Sequence, residues 1–185
     1  MKPQPKGIFL VDEVEEKPKE PVKKQPKKEI AGQMCTVMNY ENEKVELGAG
    51  EIKMMTGIFF ENSKHTHLKV DAKFKSIVIS KCEDIVLEMK SCISGVEVIN
   101  CSKVRIYVHE KTPSISADTS QSVAVVLSEQ NLECDIVSSK TSELTVAYRK
   151  ADQSESKAVA VSSQLVTKWD ADSKQFKTTV YDKFL

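Results

Sequence analysis

Glycine is scarce in this chain, with six in 185 residues, and after Gly57 only Gly95 remains. That leaves no G-x-x-x-x-G-K-[ST] loop to cradle a phosphate and no G-x-S-x-G nucleophile elbow. Asn-Gly and Asp-Gly turns are missing as well, which weighs against an antiparallel sandwich. No window approaches the roughly 18 apolar residues of a membrane span, and the N-terminus has no secretory h-region. A charge excess is also lacking. Lys plus Arg and Asp plus Glu both total 27, so no global field draws nucleic acid or an anionic membrane. The five cysteines include no CxxC pair. An odd number inside apolar runs reads as reduced, buried thiols rather than a disulfide framework.

Proline is nearly missing after Ile30, and this marks a boundary. Residues 1–30 hold five of the six prolines, eight lysines and six acidic residues, as in KPKEPVKKQPKK. Such a stretch cannot bury enough apolar surface to offset its ordering entropy, so a disordered or extended tail is expected over 1–30 and a folded domain over 31–185. A short apolar patch, GIFLVDEV, interrupts the tail at residues 7–14.

What the chain does have is a repeat. Around Cys82, apolar residues lie five and three places before (Ile77, Ile79) and three and five places after (Ile85, Leu87). Around Cys101 the same offsets give Val96, Val98, Val104 and Ile106; Ser120 and Thr141 anchor further copies, and His65 a weaker one. These anchors are 17, 19, 19 and 21 residues apart, and Asn42 makes a possible sixth. Alternation on both sides of an anchor means two short strands, each with one buried face. β-Branched residues fill the inward positions, which favours strand over helix. A period near 20 with strand–corner–strand units predicts a parallel β-helix solenoid of about six coils. One coil alone is unstable. Its four or five buried side chains contribute roughly 1.5–3 kcal/mol each, against an ordering cost of roughly 1–2 kcal/mol for every one of about 20 residues. Stacking is therefore obligatory.

Open solenoid ends invite association. The end of the chain reads as a strand, a turn or short helix around Trp169, and a final strand FKTTVY, which either covers the coil or pairs with a second copy. Trp169, Phe176, Thr178 and Val180 are the candidate dimerisation residues.

Little reads as chemistry. His65-x-His67 places two imidazoles near each other, but no Cys, Asp or Glu at ligand spacing completes a metal site. His109-Glu110 reads as a surface turn, and the register of Cys101 makes it a corner residue rather than a nucleophile. Outward positions Lys69, Glu88, Glu97, Arg105 and Tyr107 form one mixed-charge row of the kind solenoids present to protein partners. No cofactor, metal or enzymatic activity is expected.

The pieces INCSKVRIYV, KTPSIS and LSEQNLECDIVSSKTSELTVAY, followed by VSSQLVTKW and FKTTV, resemble the C-terminal domain of the cyclase-associated protein family over residues 31–185. The longest is close to the family pattern L-S-x-x-S-L-x-C-x-I-V-S-x-K-S-S-E-M-x-V. The resemblance implies a right-handed parallel β-helix that forms a homodimer by exchanging C-terminal strands. It also implies a cytoplasmic partner of the actin cytoskeleton that binds ADP-actin monomers and promotes ADP-to-ATP exchange without catalytic residues of its own. Carried over, actin contacts fall on Ser116, Asp118, Thr119, Ser120 and Gln121, on Arg105 and Tyr107 of the exposed face, and on Tyr181, Asp182, Lys183, Phe184 and Leu185. The chain departs from the family's N-K-T-D-G-C, reading ADTSQS at residues 117–122. A polyproline run able to hold profilin is reduced to the Lys/Pro tail, and the initiating Met favours a naturally short member.

Two other readings stand beside this one. A GTPase activator of the tubulin-cofactor-C type shares the β-helix and inserts an arginine from a Gln-x-Arg motif. This chain has only Arg105 and Arg149, and Arg105 follows Ser102-Lys103-Val104. The third reading is an inert scaffold held through its tail.

Overall fold

In the computed structural model, the described residues are 24–149, 157–162 and 165–180. Alternating apolar residues underlie most of the fourteen strands among the described residues, which begin with β1 (Lys27–Ala31), β2 (Met34–Met38), β3 (Lys44–Gly48), β4 (Gly57–Glu61), β5 (Lys64–Ser80), β6 (Glu83–Ile99) and β7 (Ser102–Val108). There follow β8 (Ser114–Asp118), β9 (Gln121–Ser128), β10 (Asp135–Ser139), β11 (Ser142–Arg149), β12 (Lys157–Ala160), β13 (Leu165–Asp170) and β14 (Gln175–Val180). One turn of 3-10 helix, Glu129–Asn131, separates β9 from β10.

The strands wind into a parallel β-solenoid of about six turns, the fold expected from the repeat. Each rung has a leading strand, a tight corner and a trailing strand. The leading sheet stacks β2, β4, the second half of β5, the second half of β6, β8 and β10. The trailing sheet stacks β3, the first halves of β5 and β6, β7, β9 and β11. β5 and β6, each 17 residues long, run through the far turn and serve two successive rungs.

Between the sheets, like residues lie on like. Cys35, Ile58, Ile77, Val96, Ile115 and Ile136 stack rung upon rung in the leading sheet. Val45, Leu68, Leu87, Ile106, Val125 and Val146 do so in the trailing sheet. Nearly all are fully buried, and β-branched chains suit such columns because their one preferred rotamer repeats without clash. At the far turn Gly95 has φ +140°, and a Cβ built there would lie 2.6 Å from Ser114 Oγ and 2.9 Å from its carbonyl oxygen. Only glycine lets the rungs approach so closely.

Antiparallel strands close part of each end. β1 lies on β2 through the Gly32–Gln33 turn, and β12 lies on β11. β1 begins at Lys27, so four residues with tail-like composition are already strand. β13 and β14 form a separate antiparallel hairpin. Trp169 is therefore in a strand rather than in a turn or helix, and the turn is Ala171–Lys174. Among the described residues, no helix is long and apolar enough to cross a membrane.

Two sequence assignments shift. The second-rung anchor is Ser63, not His65, and the first is Tyr40, not Asn42, because Ser63 stacks on Cys82 and Tyr40 on Ser63. The outward row also divides. Lys69, Glu88 and Tyr107 share one column of the trailing sheet and Arg105 lies in the next, whereas Glu97 belongs to the leading sheet between Val78 and Ser116. A two-sheet coil gives its outward residues two directions, which a single period cannot separate.

Candidate functional site: the corner groove and its ladder

Each tight corner is built from two left-handed residues with the anchor between them. Immediately before the anchor stand Asn39, Asn62, Lys81, Asn100, Thr119 and Lys140, with φ from 47° to 62°. Two places after it stand Asn42, His65, Asp84, Lys103, Ser122 and Glu143, with φ from 48° to 58°. Such backbone costs roughly 1–2 kcal/mol per non-glycine residue. The stack offsets that cost by using the turned-out backbone. Asn39, Asn62, Lys81, Asn100 and Thr119 donate their N–H groups to the carbonyls of Glu61, Ser80, Ile99, Asp118 and Ser139 in the next rung.

The anchors themselves form a second ladder. The backbone N–H of Tyr40 donates to Ser63 Oγ (3.1 Å), that of Ser63 to Cys82 Sγ (3.5 Å), and that of Cys82 to Cys101 Sγ (3.4 Å). Cys101 N–H then donates to Ser120 Oγ (3.1 Å), and Ser120 N–H to Thr141 Oγ1 (3.4 Å). Each anchor hydroxyl or thiol in turn donates to the carbonyl two residues before it, at 2.8 to 3.2 Å. An anchor must therefore both donate and accept, which is why the column reads Ser, Cys, Cys, Ser, Thr. Small size alone does not explain it.

Over this ladder runs a groove of about 620 Å³. One side is formed by Lys81, Asn100, Thr119 and Lys140; the other by Lys64, Glu83, Ser102, Gln121 and Ser142. Lys64 Nζ meets Glu83 Oε2 at 3.1 Å and holds that carboxyl below its ordinary range. Lys81 Nζ meets Glu61 Oε1 at 2.8 Å. Lys140 has no carboxylate partner among the described residues, so the groove offers a cation beside hydroxyl and amide side chains that both donate and accept.

The sequence-predicted residues divide by location. Thr119 and Gln121 line the groove and are exposed; Asp118 and Ser116 precede them on β8 and are not among its lining residues. Ser120 is only 5% exposed, and its hydroxyl is committed to Cys101 N–H and the Asp118 carbonyl. Arg105 and Tyr107 are on β7, on the outer face of the trailing sheet. There Arg105 Nη2 contacts Asp84 Oδ1 at 3.2 Å, and His65 Nδ1 contacts Asp84 Oδ2 at 3.0 Å, so three rungs are joined. His65, then Arg105, holds the Asp84 carboxyl below its usual range. His67 instead faces Glu88, 3.4 Å away, so the two imidazoles do not converge. Sequence reasoning passed over Lys64, Lys81, Asn100 and Lys140, although their fixed offsets from the anchors would have found them.

On the hairpin, Trp169, Phe176, Thr178 and Val180 share one face. Trp169 and Phe176 pair edge-to-face at 5.2 Å, and Thr178 bonds Thr167 at 3.0 Å. Trp169 is 55% and Phe176 70% exposed. Tyr181, Asp182, Lys183, Phe184 and Leu185 lie outside the described residues.

A sequence model of the adenylate cyclase-associated (CAP) C-terminal family matches residues 24–183. The chain is 33% identical over 131 residues to adenylyl cyclase-associated protein 1 of Bos taurus, covering 70% of this chain and 27% of that protein. It is 27% identical over 145 residues to adenylyl cyclase-associated protein 2 of Pongo abelii, covering 78% and 30% respectively. The chain thus spans under a third of the length of these curated relatives. A crystal structure of cyclase-associated protein from Cryptosporidium parvum superposes with a TM-score of 0.79 at 26% identity, covering 85% of this chain and 96% of that one.

Proposed function

This chain belongs to the C-terminal family of adenylate cyclase-associated proteins, and from that we infer that it binds actin monomers, prefers the ADP-bound form and promotes exchange of ADP for ATP. The observation carrying this reading is the family match across residues 24–183. The corner groove adds an exposed polar surface around Thr119 and Gln121 of the kind a protein partner can use. In this reading the protein acts in the cytoplasm by favouring one conformation of actin, with no catalytic group of its own. The hairpin face bearing Trp169, Phe176, Thr178 and Val180 pairs with a second copy, and the Pro/Lys tail is the place where profilin would bind.

The test is the release of fluorescent ADP from actin monomers with and without the full chain. Faster release, lost on truncation after Lys177, supports exchange with a site at the dimerising end. Unchanged release together with no binding in an actin titration rejects the reading. Binding without faster release leaves a sequestering protein and rejects exchange.

A further inference from the structure

Five anchors do one structural job, and three of them, Ser63, Ser120 and Thr141, do it with a hydroxyl. Cys82 and Cys101 are consecutive, so sulfur occupies two adjacent rungs where the fold requires only a donor and acceptor. Both cysteines are among the residues that line the groove, at 4% and 5% exposure. The remaining cysteines are differently placed. Cys35 is buried in the leading-sheet column, Cys92 faces Thr112 Oγ1 at 3.0 Å, and Cys134 is half-buried near the 3-10 turn.

We propose that Cys82 and Cys101 are a peroxide-reactive thiol pair beneath the corner groove, closing to a disulfide that interrupts the ladder at two successive rungs. Rungs of a parallel stack are about 4.8 Å apart, inside the range of about 4.4–6.8 Å that a disulfide allows between Cα atoms. Closing the bond requires both sulfurs to turn away from the Ser80 and Ile99 carbonyls, which they now meet at 3.1 and 3.2 Å.

The roles of the two thiols follow from their contacts. Cys101 Sγ accepts the Cys82 N–H at 3.4 Å. The Cys82 thiol, then backbone groups, hold Cys101 below the ordinary thiol range against the opposing effect of burial. Cys82 is pushed the other way by the same contact. Since the thiolate is the nucleophile, Cys101 attacks first. Its sulfur takes one oxygen of a hydroperoxide; the O–O bond breaks, and the departing hydroxide leaves as water with the thiol's proton. Cys101 is then a sulfenic acid. Cys82, giving up its proton, attacks the Cys101 sulfur, and the S–O bond breaks with loss of a second water. With hydrogen peroxide, two thiols and one peroxide yield one disulfide and two waters.

The test uses the full chain in native buffer with hydrogen peroxide, followed by denaturation, alkylation and peptide mapping. The expected result is a fall from five alkylatable thiols to three, with a Cys82–Cys101 cross-linked peptide and a lower melting midpoint. Cys101→Ser should keep the ladder, melt like the untreated protein and form no cross-link. Cys82→Ser should leave Cys101 trapped as a dimedone-reactive sulfenic acid, a readout that stands even where the first variant fails to fold. Full retention of five thiols overturns the proposal. So does oxidation of Cys134 before the pair, or a cross-link only between molecules.

Discussion

The hydroxyl of Ser120 accepts the backbone N–H of Cys101 at 3.1 Å, one rung before its own place in the stack. The Asp118 carbonyl that receives the Ser120 hydroxyl keeps another donor, Asn100 N–H, at 3.1 Å. Removing the hydroxyl therefore leaves the buried Cys101 N–H as the main unsatisfied group. Ser120→Ala should cost about 1–3 kcal/mol, the penalty of one buried orphan. Ser120→Cys should cost far less, because sulfur already fills this place at Cys82. Denaturant midpoints of the two variants check this. Equal losses would show that the ladder bond contributes nothing.

Gly95 gives a sharper steric prediction. With φ +140° and Ser114 Oγ 2.6 Å from a new Cβ, Gly95→Ala combines backbone strain with overpacking and should destabilise by roughly 2–4 kcal/mol. Gly50→Ala is the control, since nothing lies within 4 Å of a Cβ there. Thermal melts of the pair should differ clearly.

The exposed hairpin face predicts self-association. Trp169→Ser with Phe176→Ser removes the edge-to-face pair and its apolar area, and should shift the protein from dimer to monomer in sedimentation velocity. The solenoid's β signature should survive. An unchanged sedimentation coefficient would exclude this face as the interface.

At the hairpin turn, Lys177 first, then Ser173 and backbone N–H groups, holds the Asp170 carboxyl down to about 2 from an ordinary 3.8. A depressed carboxylate stabilises the folded form above its unfolded value and loses that contribution as pH falls through the folded value. The hairpin should thus hold its order from neutral pH to about 4 and loosen as pH falls from there towards 2. Carboxyl-resolved NMR should find Asp170 titrating near 2, and Lys177→Gln should move it back towards 3.8.

Much of the coil was legible because its inward residues repeat in chemistry and in spacing. Cys82 and Cys101 sit 19 apart within apolar runs, so their rungs stand out. The second rung was harder to place. Thr66 occupies the inward position three places after Ser63, and the polar run ENSKHTH disguises it. Shifting to His65 recovers Phe60, Leu68 and Val70 and so fits an apolar template nearly as well. Counting back 19 from Cys82 points to Ser63. The corners stayed hidden for another reason. Their left-handed residues are Asn, Lys, Thr, His, Asp, Ser and Glu rather than Gly, because bonds to the next rung hold the backbone there. Whether Glu97 and Tyr107 share a surface depends on where the chain bends between them, and period alone does not carry that.

The anchor ladder also has a direction. Every rung supplies a side chain to the backbone of the rung before it, and none supplies the reverse. Stripping away the last coil takes the acceptor Thr141 from Ser120 N–H, so a donor is stranded. Within the ladder, stripping away the first takes only a donor from Ser63 Oγ, which still gives its proton to the Glu61 carbonyl. The two ends of the ladder are therefore unequal: losing the last coil orphans a ladder donor, and losing the first orphans none.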